Sequence, residues 1–363
     1  MSVKNLVSEF VKEAPPYVVG ADEQSKSMRP GVTKLLQLAT NENPFGTSPK
    51  AAEAICQQAP LANRYPDVRA QDLRKKLAEK HGLSVDEVMV TEGATAGLGF
   101  IAEVFIQPGD EIILTPPTYP SYYNYVKRCR GKLVEVPLEE DTLTPDFNKV
   151  LAAITDKTKA IFLCNPNNPT ATLIDSDELQ AFQKKLPEHV LLVVDEAYID
   201  FVEDPNYRTM VDAIADDENL IVVRTFSKLY GMAGARMGYL MANREIIEYL
   251  QRDSTGFCCS RMGLHAAEAA LDDVEFQEMT KKGNQEGREI LVSCMKELGF
   301  RVWPSHTNFI YFDPGVDVKW FADRLLDYGI IIRGNFKANR ISIGTPEEDR
   351  FVCKAMREIM ANR

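Results

Sequence analysis

The feature of this sequence that most restricts its fold is a series of short apolar runs between residues 85 and 242. Each run has four or five residues rich in Val, Ile and Leu, and amphipathic stretches separate the runs. Such runs are typical of strands buried on both faces, which occur in mostly parallel sheets covered by helices. The sequence therefore predicts an α/β fold with six strands, at Glu111–Leu114, Leu133–Val136, Ala160–Leu163, Val190–Val194, Leu220–Val223 and Met237–Met241.

Beyond residue 243 the pattern changes to long helical stretches with few strands. Helices are predicted over Arg261–Leu298 and Glu347–Met360, and strands at Phe309–Phe312, Ile330–Arg333 and Arg340–Ile343. We expect a large α/β domain over 46–250 and a small α+β domain over 251–363. A loop-rich arm over 1–45 is expected to dock on the small domain and on a partner subunit.

The charge balance restricts the partners of the chain. Acidic residues outnumber basic ones by 53 to 42, and a surface with net charge −11 repels phosphate backbones and anionic lipid. The seven cysteines show no paired spacing, the four histidines are not spaced for a metal, and residues 1–14 lack a signal-peptide core. With no apolar run long enough to span a bilayer, the sequence predicts a soluble cytoplasmic protein that binds no metal, nucleic acid or membrane.

Two segments place chemically active side chains directly after an apolar run. Asp195 follows the run Val190–Val194, and Tyr198 follows three residues later. The carboxyl ends of strands line the ligand crevice of open α/β sheets, so both side chains are candidates for a binding site. Taken alone, this segment is more simply interpreted as a strand that ends in a solvated acid.

The second segment, Arg224–Gly238, concentrates hydroxyls, glycines and cations after another apolar run. Lys228 and Arg236 lie eight residues apart in it, among three glycines that allow a ligand to approach the backbone. Hydroxyls and an arginine suit a phosphate, and the lysine is either a further phosphate contact or a nucleophilic amine. The alternative is a flexible surface loop, which explains this combination poorly.

Two weaker signals accompany these segments. Asn165–Thr170 is a proline-fixed turn whose asparagines have the capacity to bind a phenolate, although a plain turn is the simpler interpretation. Thr91–Gly97 is a glycine-containing turn that leads into a helix, an arrangement that suits a phosphate. The chain contains neither a GxGxxG fingerprint nor a P-loop.

In this order along the chain, the segments resemble fold type I pyridoxal-phosphate enzymes and, within them, the class I/II aminotransferases. The strongest part of the resemblance is the run of serine, lysine, glycines and arginine over Ser227–Arg236. The subgroup is similar to the histidinol-phosphate aminotransferases of amino-acid biosynthesis, through Ala39–Pro44, Asn63–Asp67, Gly329–Arg333 and Arg340–Gly344. The resemblance implies a mostly parallel, seven-stranded type of sheet sandwiched by helices, a smaller α+β domain, and pyridoxal 5'-phosphate as cofactor.

The resemblance also implies roles for individual residues. Lys228 carries the cofactor as a Schiff base and afterwards moves the substrate proton. Asp195 keeps the pyridine nitrogen protonated, Tyr198 and Asn168 bind the phenolic oxygen, and Tyr119 stacks on the ring. The phosphate is held by the residues Gly93, Ala94, Thr95, Thr225, Ser227 and Arg236.

The same resemblance implies a homodimer with shared active sites, in which Tyr65 reaches the cofactor or substrate of the neighbouring subunit. Arg340 pairs with the carboxylate of the amino-acid substrate, a geometry that lysine does not reproduce, and Asn43 assists it. Tyr17 and Arg333 face the far end of the substrate. For Arg333 and Arg340 the alternative is a solvated charge at a strand end.

The implied reaction is ping-pong amino transfer between glutamate and an oxo acid or oxo phosphate, with histidinol phosphate as the leading substrate. The alternatives are an aromatic or other amino-acid aminotransferase, a decarboxylase such as threonine-phosphate decarboxylase, and a non-enzymatic sensor domain. Two departures from the family pattern stand out: Ala171 replaces a glycine, and Phe257-Cys-Cys-Ser-Arg261 stands where the family more commonly has Phe-Asn-x-Asn-Ser. We expect Ala171 to adopt a φ that alanine tolerates, and the cysteines to be small buried side chains or a reactive pair.

Overall fold

The computed structural model describes residues 31–363, together with Val3, Leu6, Val7, Lys12 and Arg29. Strands in the described residues are β1 (Leu36–Gln37), β2 (Val88–Thr91), β3 (Glu111–Leu114), β4 (Lys132–Glu135), β5 (Thr158–Cys164), β6 (Leu191–Asp195), β7 (Leu220–Thr225), β8 (Gly238–Ala242), β9 (Arg301–Val302), β10 (Phe309–Asp313), β11 (Ile330–Ile331) and β12 (Asn339–Ser342).

The α-helices of residues 31–363 are α1 (Pro49–Gln58), α2 (Gln71–His81), α3 (Ala94–Phe105), α4 (Ser121–Arg128), α5 (Phe147–Ala152), α6 (Ser176–Gln183), α7 (Arg244–Asp253), α8 (Arg261–Leu271), α9 (Val274–Glu297), α10 (Val318–Leu326) and α11 (Pro346–Ala361). In this part of the chain, no helix is both long and apolar enough to cross a bilayer. Nor do its His, Cys, Asp and Glu side chains form any group of three or more that would suit a metal ion.

A seven-stranded sheet in the order β2-β8-β7-β6-β5-β3-β4 forms the centre of the molecule. Strands β4, β3, β5, β6 and β7 pair in parallel, and β8 runs antiparallel to both of its neighbours. Alternate side chains of these strands enter two apolar clusters: Ile161, Leu192 and Val222 belong to one, and Phe162, Val193 and Ile221 to the other. Burial on both faces explains the continuous apolar runs, and the predicted α/β fold is confirmed.

The C-terminal part builds a separate apolar cluster from α9, α10, α11 and the strands near them, with Phe312, Phe321 and Met356 completely buried. Its sheet has the order β12-β10-β9, and β11 instead pairs in parallel with β1. The segment before residue 45 thus adds a strand beside the C-terminal region. The division into an arm over 1–45 and domains over 46–250 and 251–363 stays a prediction.

Several sequence-based boundaries need correction. The sequence analysis missed β2, although this strand is as long as the four-residue runs that were assigned as strands. The predicted helix over Arg261–Leu298 is two helices, α8 and α9, interrupted at residues 272–273. The predicted strand Ile330–Arg333 ends at Ile331, and Arg333 forms only an isolated bridge with Arg340.

Asp349, in the first turn of α11, makes the stability of the C-terminal region depend on pH. It is completely buried, and its Oδ1 accepts one hydrogen bond from the Gly344 amide at 3.0 Å. Burial raises the pKa of this carboxyl from 3.8 to about 8. Folding therefore favours the protonated acid, so the contribution of Asp349 to stability is complete below about pH 4 and is lost as the pH rises through about 8.

Replacement of Asp349 with Asn is expected to remove this dependence, because the amide carries no charge to desolvate. The free energy of unfolding of the variant should exceed that of the wild type by about 1 kcal/mol or more at pH 8, and the difference should shrink towards pH 4. Urea denaturation at both pH values measures this difference. The control is Asp141→Asn, whose side chain is 95% exposed, and equal pH slopes for Asp349→Asn and the wild type would contradict the prediction.

Candidate active site

The strands of the central sheet bring the predicted site residues to one edge. Because β3, β5, β6 and β7 run in parallel, the turns that follow them meet at this edge, where antiparallel β8 also begins. A cavity of about 410 Å³ lies there. Most of the predicted residues border it: Ala94, Thr95, Tyr119, Asn168, Asp195, Tyr198, Thr225, Ser227, Lys228, Arg236, Arg333 and Arg340.

Lys228 follows β7 by three residues and extends its amine into the cavity. Its Nζ donates to the carbonyl oxygens of Asn41 at 2.9 Å and Thr40 at 3.4 Å, and neither acceptor carries a charge. Burial, with a contribution from the charge of Arg340, lowers the pKa of Lys228 to about 8. Near pH 7 a larger fraction of this amine is therefore neutral than of an ordinary lysine. Nucleophilic attack and proton abstraction both require the neutral amine.

Asp195, the last residue of β6, is held by two hydrogen bonds. Its Oδ2 accepts from the Tyr122 hydroxyl at 2.9 Å, and its Oδ1 accepts from the Ala197 amide at 3.1 Å. Burial raises the pKa of Asp195 to about 6, although both hydrogen bonds favour the charged form. At neutral pH the group is therefore a buried carboxylate that borders the cavity, a partner suited to a cationic heterocycle.

A second pair of contacts fixes the ends of β6 and β7 relative to each other. Glu196 Oε2 accepts from Arg224 Nε at 3.0 Å and from Arg224 Nη2 at 2.8 Å, and Glu196 Oε1 accepts from the Met210 amide at 2.8 Å. Arg224 and Glu196 are both buried, so solvent screens this ion pair weakly. The pair holds in place the strand ends that carry Asp195 and Lys228.

Tyr198 and Asn168 lie side by side, as the resemblance implies. The Tyr198 hydroxyl accepts from Asn41 Nδ2 at 3.1 Å and from Asn168 Nδ2 at 3.4 Å. Two amide donors and the Tyr198 hydroxyl therefore lie together, and this group is suited to hydrogen-bond the phenolic oxygen of a ligand. Burial raises the pKa of Tyr198 above its ordinary value, so the hydroxyl stays protonated and is able to donate.

The turn before α3 and the loop before β8 form a cradle for an anion. Gly93, at φ +82°, is the N-cap of α3, and no side chain caps the amides of that first turn. A Cβ at Gly93 would lie 2.6 Å from Arg236 Nη2, and a Cβ at Gly238 would overlap the main-chain nitrogen of Ala94. The two glycines therefore let Arg236 and the helix N-terminus approach closely, and together these donors suit a phosphate.

On the other side of the cavity, two arginines converge on one carbonyl. Arg340 Nη2 and Arg333 Nε donate to the Ala39 oxygen at 2.6 and 3.3 Å. Arg340 Nη1 also donates to Asn168 Oδ1 at 2.6 Å, and its guanidinium lies 5.2 Å from the ring centre of Phe309. Arg340 is buried, so this part of the cavity is strongly cationic.

Among the predicted residues in the described part of the chain, Gly93, Asn43 and Tyr65 are not part of the cavity lining. The side-chain amide of Asn43 donates to the carbonyl oxygens of Lys228 at 3.2 Å and Leu229 at 3.0 Å, so Asn43 supports the loop rather than facing a substrate. Tyr65 is 78% exposed, and its ring centre lies 4.8 Å from that of Phe257. Tyr17 lies outside the described residues.

The structure also identifies site residues that the sequence interpretation missed. Asn41 and Tyr122 contact Tyr198 and Asp195, respectively, and the rim of the cavity includes Asn335 and Phe336. Asn41 lies in the segment Ala39–Pro44, which carries part of the family resemblance, and Tyr122 lies in the first turn of α4. The spacing gave no means of choosing between Asn41 and Asn43.

Ala171 corrects another expectation. It adopts φ +64°, in the left-handed region that favours glycine, rather than a φ that alanine readily tolerates. Its methyl group is completely buried and packs with Tyr198 and Phe309. Its amide donates to the Asn167 oxygen at 2.8 Å, so the turn keeps its glycine-like backbone although a side chain is present.

The residues present fit pyridoxal phosphate. The cradle at Gly93, Arg236 and Gly238 offers donors for a phosphate, and Asp195 and Lys228 border the same cavity. Tyr119 also borders it and supplies an aromatic ring suited to stacking. A mostly parallel sheet with this set of groups at its carboxyl edge defines the fold type I class of pyridoxal-phosphate enzymes.

Comparison with known proteins identifies the family within that class. The model of the family described as aminotransferase class I and II matches residues 33–356, so the chain belongs to this family and is an aminotransferase. The predicted enzyme type is thereby confirmed, and so is pyridoxal phosphate as the cofactor of the family.

Similar proteins share nearly the whole chain. The histidinol-phosphate aminotransferase of Brevibacillus brevis is 37% identical over 355 residues, covering 96% of this chain and 97% of its own. The protein of that name from Moorella thermoacetica is 35% identical, covering 97% and 92%. The crystal structure of histidinol-phosphate aminotransferase from Sinorhizobium meliloti in complex with pyridoxal-5'-phosphate has a TM-score of 0.90 and 30% identity, covering 98% of both chains.

Proposed function

We propose that this aminotransferase exchanges an amino group between histidinol phosphate and 2-oxoglutarate, which becomes glutamate. The observation that carries the proposal is the convergence of Arg333 and Arg340 on the Ala39 oxygen, at 3.3 and 2.6 Å. Two guanidinium groups so close together suit a phosphate monoester dianion as well as a carboxylate. Similarity to relatives named histidinol-phosphate aminotransferase supports the same substrate.

Pyridoxal phosphate, when bound, supplies an electron sink that allows a bond to the Cα of the amino substrate to break. In the proposed reaction, the Lys228 amine takes the proton from that carbon and would deliver it to the C4′ carbon of the cofactor. A pKa of about 8 suits this work, because the amine both accepts and releases a proton near neutral pH. Buried Arg340 holds the anionic end of the substrate and fixes its orientation relative to Lys228.

The residues that would hold the cofactor form groups, and each group would contact a different part of it. Asp195 would face the ring nitrogen, and its charge favours the protonated nitrogen. Tyr198, Asn41 and Asn168 would surround the phenolic oxygen, and Tyr119 would stack on the ring. The phosphate would be bound by the residues Gly93, Ala94, Thr95, Thr225, Ser227 and Arg236.

We test the substrate with a panel of amino donors that includes histidinol phosphate, glutamate, phenylalanine and aspartate. In the wild type, kcat/KM should be highest for histidinol phosphate. Arg340→Lys should lower kcat/KM for histidinol phosphate and glutamate by about 10²-fold, because lysine keeps the positive charge but loses the bidentate geometry of the guanidinium. Arg333→Lys should affect histidinol phosphate more than glutamate, because a phosphate dianion uses both guanidinium groups.

The matched control is Arg301→Lys, since the side chain of Arg301 is 54% exposed and lies over Trp303 away from the cavity. An unchanged kcat/KM in Arg340→Lys would remove this residue from substrate binding. Release of carbon dioxide in place of an oxo product would assign the enzyme to the decarboxylases instead.

We further propose that the enzyme is a cytoplasmic homodimer in which Tyr65 serves the active site of the neighbouring subunit. Tyr65 is 78% exposed and its carbonyl accepts from Arg261 Nη2 at 2.7 Å, so the side chain is presented outwards on a supported loop. Mixing subunits of Tyr65→Ala and Lys228→Ala tests the proposal. Random exchange should restore activity to about one quarter of the wild type, because half the dimers are mixed and each holds one intact site.

Each parent variant should have low activity when assayed alone. The control mixture combines Lys228→Ala with Asp195→Asn, two residues that border the cavity of one chain. This mixture should gain no activity. Each chain supplies both Lys228 and Asp195 to its own site, so each of the two sites in a mixed dimer carries one defect. Absence of any gain in the Tyr65 mixture, despite demonstrated subunit exchange, would show that Tyr65 does not act across subunits.

A further inference from the structure

The adjacent cysteines between α7 and α8 form a pair with two different environments. Cys259 is buried, whereas Cys258 is only half-buried, and the two Sγ atoms lie 3.9 Å apart. Both side chains border a cavity of about 220 Å³, separate from the proposed active site, which Arg69, Gln251 and Phe257 also line. Both residues therefore lie beside a space that a small solute is able to enter.

The pKa values of the two thiols also differ, with that of Cys258 the lower of the two. The contact with Cys259 lowers the pKa of Cys258 below its usual value, although burial opposes the shift. The same contact and burial both raise the pKa of Cys259. Because the thiolate is the reactive form and Cys258 is also the more exposed of the two, Cys258 suits the role of nucleophile and Cys259 that of resolving thiol.

The backbone around the pair is able to adapt. Residues 254–260 lie outside α7 and α8 and contain only bends and turns, and Phe257 adopts φ +64°. Adjacent Cα atoms are about 3.8 Å apart, shorter than the roughly 4.4–6.8 Å of ordinary disulfides, so a bond between neighbours is strained. Strained disulfides have more oxidising potentials and are readily reduced, as a reversible modification requires.

We propose that Cys258 and Cys259 are a redox modification site, which a hydroperoxide converts into a vicinal disulfide. The Cys258 thiolate attacks one peroxide oxygen, the O–O bond breaks, and with one proton the second oxygen leaves as water. The Cys259 sulfur then attacks the sulfenic acid formed on Cys258, so that the S–S bond forms, the S–O bond breaks, and a second water leaves with the Cys259 proton. Two thiols lose two electrons, and the peroxide is reduced to two waters.

The position of the pair connects it to the proposed dimer contact. Phe257 precedes Cys258, and its ring packs on Tyr65, while Arg261 donates to the Tyr65 oxygen at 2.7 Å. Closing the gap between the sulfur atoms to bonding distance displaces this turn, and with it the support of Tyr65. This consequence rests on the proposed function, whereas the oxidation itself does not.

The experiment treats the holoenzyme with hydrogen peroxide, blocks the remaining thiols by alkylation and digests the protein with trypsin. Cleavage after Arg252 and Arg261 releases Asp253–Arg261, whose only cysteines are Cys258 and Cys259. We expect this peptide to lose the mass of two hydrogens and to escape alkylation, and dithiothreitol to restore both thiols. Its thiols should disappear at least about tenfold faster than the buried thiol of Cys164, whose pKa is raised by burial.

Two variants separate the steps. Cys259→Ser should retain a sulfenic acid at Cys258 that dimedone traps, because the resolving thiol is absent. In Cys258→Ser, Cys259 should react no faster than Cys164. Retention of both thiols in the wild-type peptide under this treatment, or equally fast oxidation of Cys259 in Cys258→Ser, would overturn the proposal. Because the readout is mass rather than turnover, these results are independent of the aminotransferase substrate.

Discussion

Replacement of Lys228 with Ala is expected to lower kcat with every amino donor by about 10⁴-fold or more. Among the described residues that border the cavity, Lys228 is the one lysine, so no second amine is placed to take over its work. The variant should also lose the yellow colour that a lysine-bound cofactor gives the protein. Steady-state assays and visible absorption spectra measure both effects, and circular dichroism verifies the fold.

Lys228→Arg provides a stringent comparison, because arginine keeps the positive charge but has no amine that gives up its proton near neutral pH. We expect it to be as inactive as the alanine variant. Lys185→Ala, at an exposed position beyond the end of α6, should behave like the wild type. Turnover of Lys228→Ala within about tenfold of the wild type would mean that this amine has no chemical role.

Asp195→Asn should lower kcat by about 10³-fold or more, comparable with other losses of a buried charge that fixes the protonation of a reacting ring. Asparagine has nearly the same shape and still accepts from the Tyr122 hydroxyl, so the packing around β6 should persist. What disappears is the negative charge. Cofactor affinity and kcat measure the loss, and Asp141→Asn is the exposed control.

The pH dependence of cofactor binding provides an independent test of Asp195. Since burial raises the pKa of Asp195 to about 6, the affinity of the cofactor-free protein should fall as the pH drops through this value and the carboxylate is protonated. Tyr122→Phe removes a hydrogen bond that favours the charged form, so it should move this midpoint to higher pH. Identical pH profiles for the wild type, Tyr122→Phe and Asp195→Asn would exclude Asp195 as the titrating group.

The strands of the central sheet were largely predictable, because burial on both faces leaves a local record in the sequence. The apolar run Glu111–Leu114 coincides with β3, and Leu220–Val223 lies within β7. The pattern did not provide the pairing of β2 with β8 or of β1 with β11. These pairings join segments far apart in the chain, and a local pattern carries no information about which distant strand is the partner.

Some residues of the candidate site were also predictable from the sequence, and others were not. Lys228, Asp195 and Arg236 are recognisable from the residues that surround them, because each follows a strand or belongs to a glycine-rich segment. The roles of Asn41 and Asn43 were not separable, since alternate residues of an extended segment face the same side. Asn41 adopts φ +56°, and this turn of the backbone directs its amide to Tyr198, while Asn43 supports the loop after β7.

Most strands of the central sheet, and the chemically active residues near their ends, were predictable from the sequence, because hydrophobic runs and turn residues act over a few neighbouring positions. Which polar groups meet depends instead on how the chain packs in three dimensions. Arg340 reaches Asn168, 172 positions away, and Lys228 reaches the carbonyl of Asn41, 187 positions away. Such contacts depend on strand order and on the packing of the C-terminal region against the sheet, which no local pattern encodes.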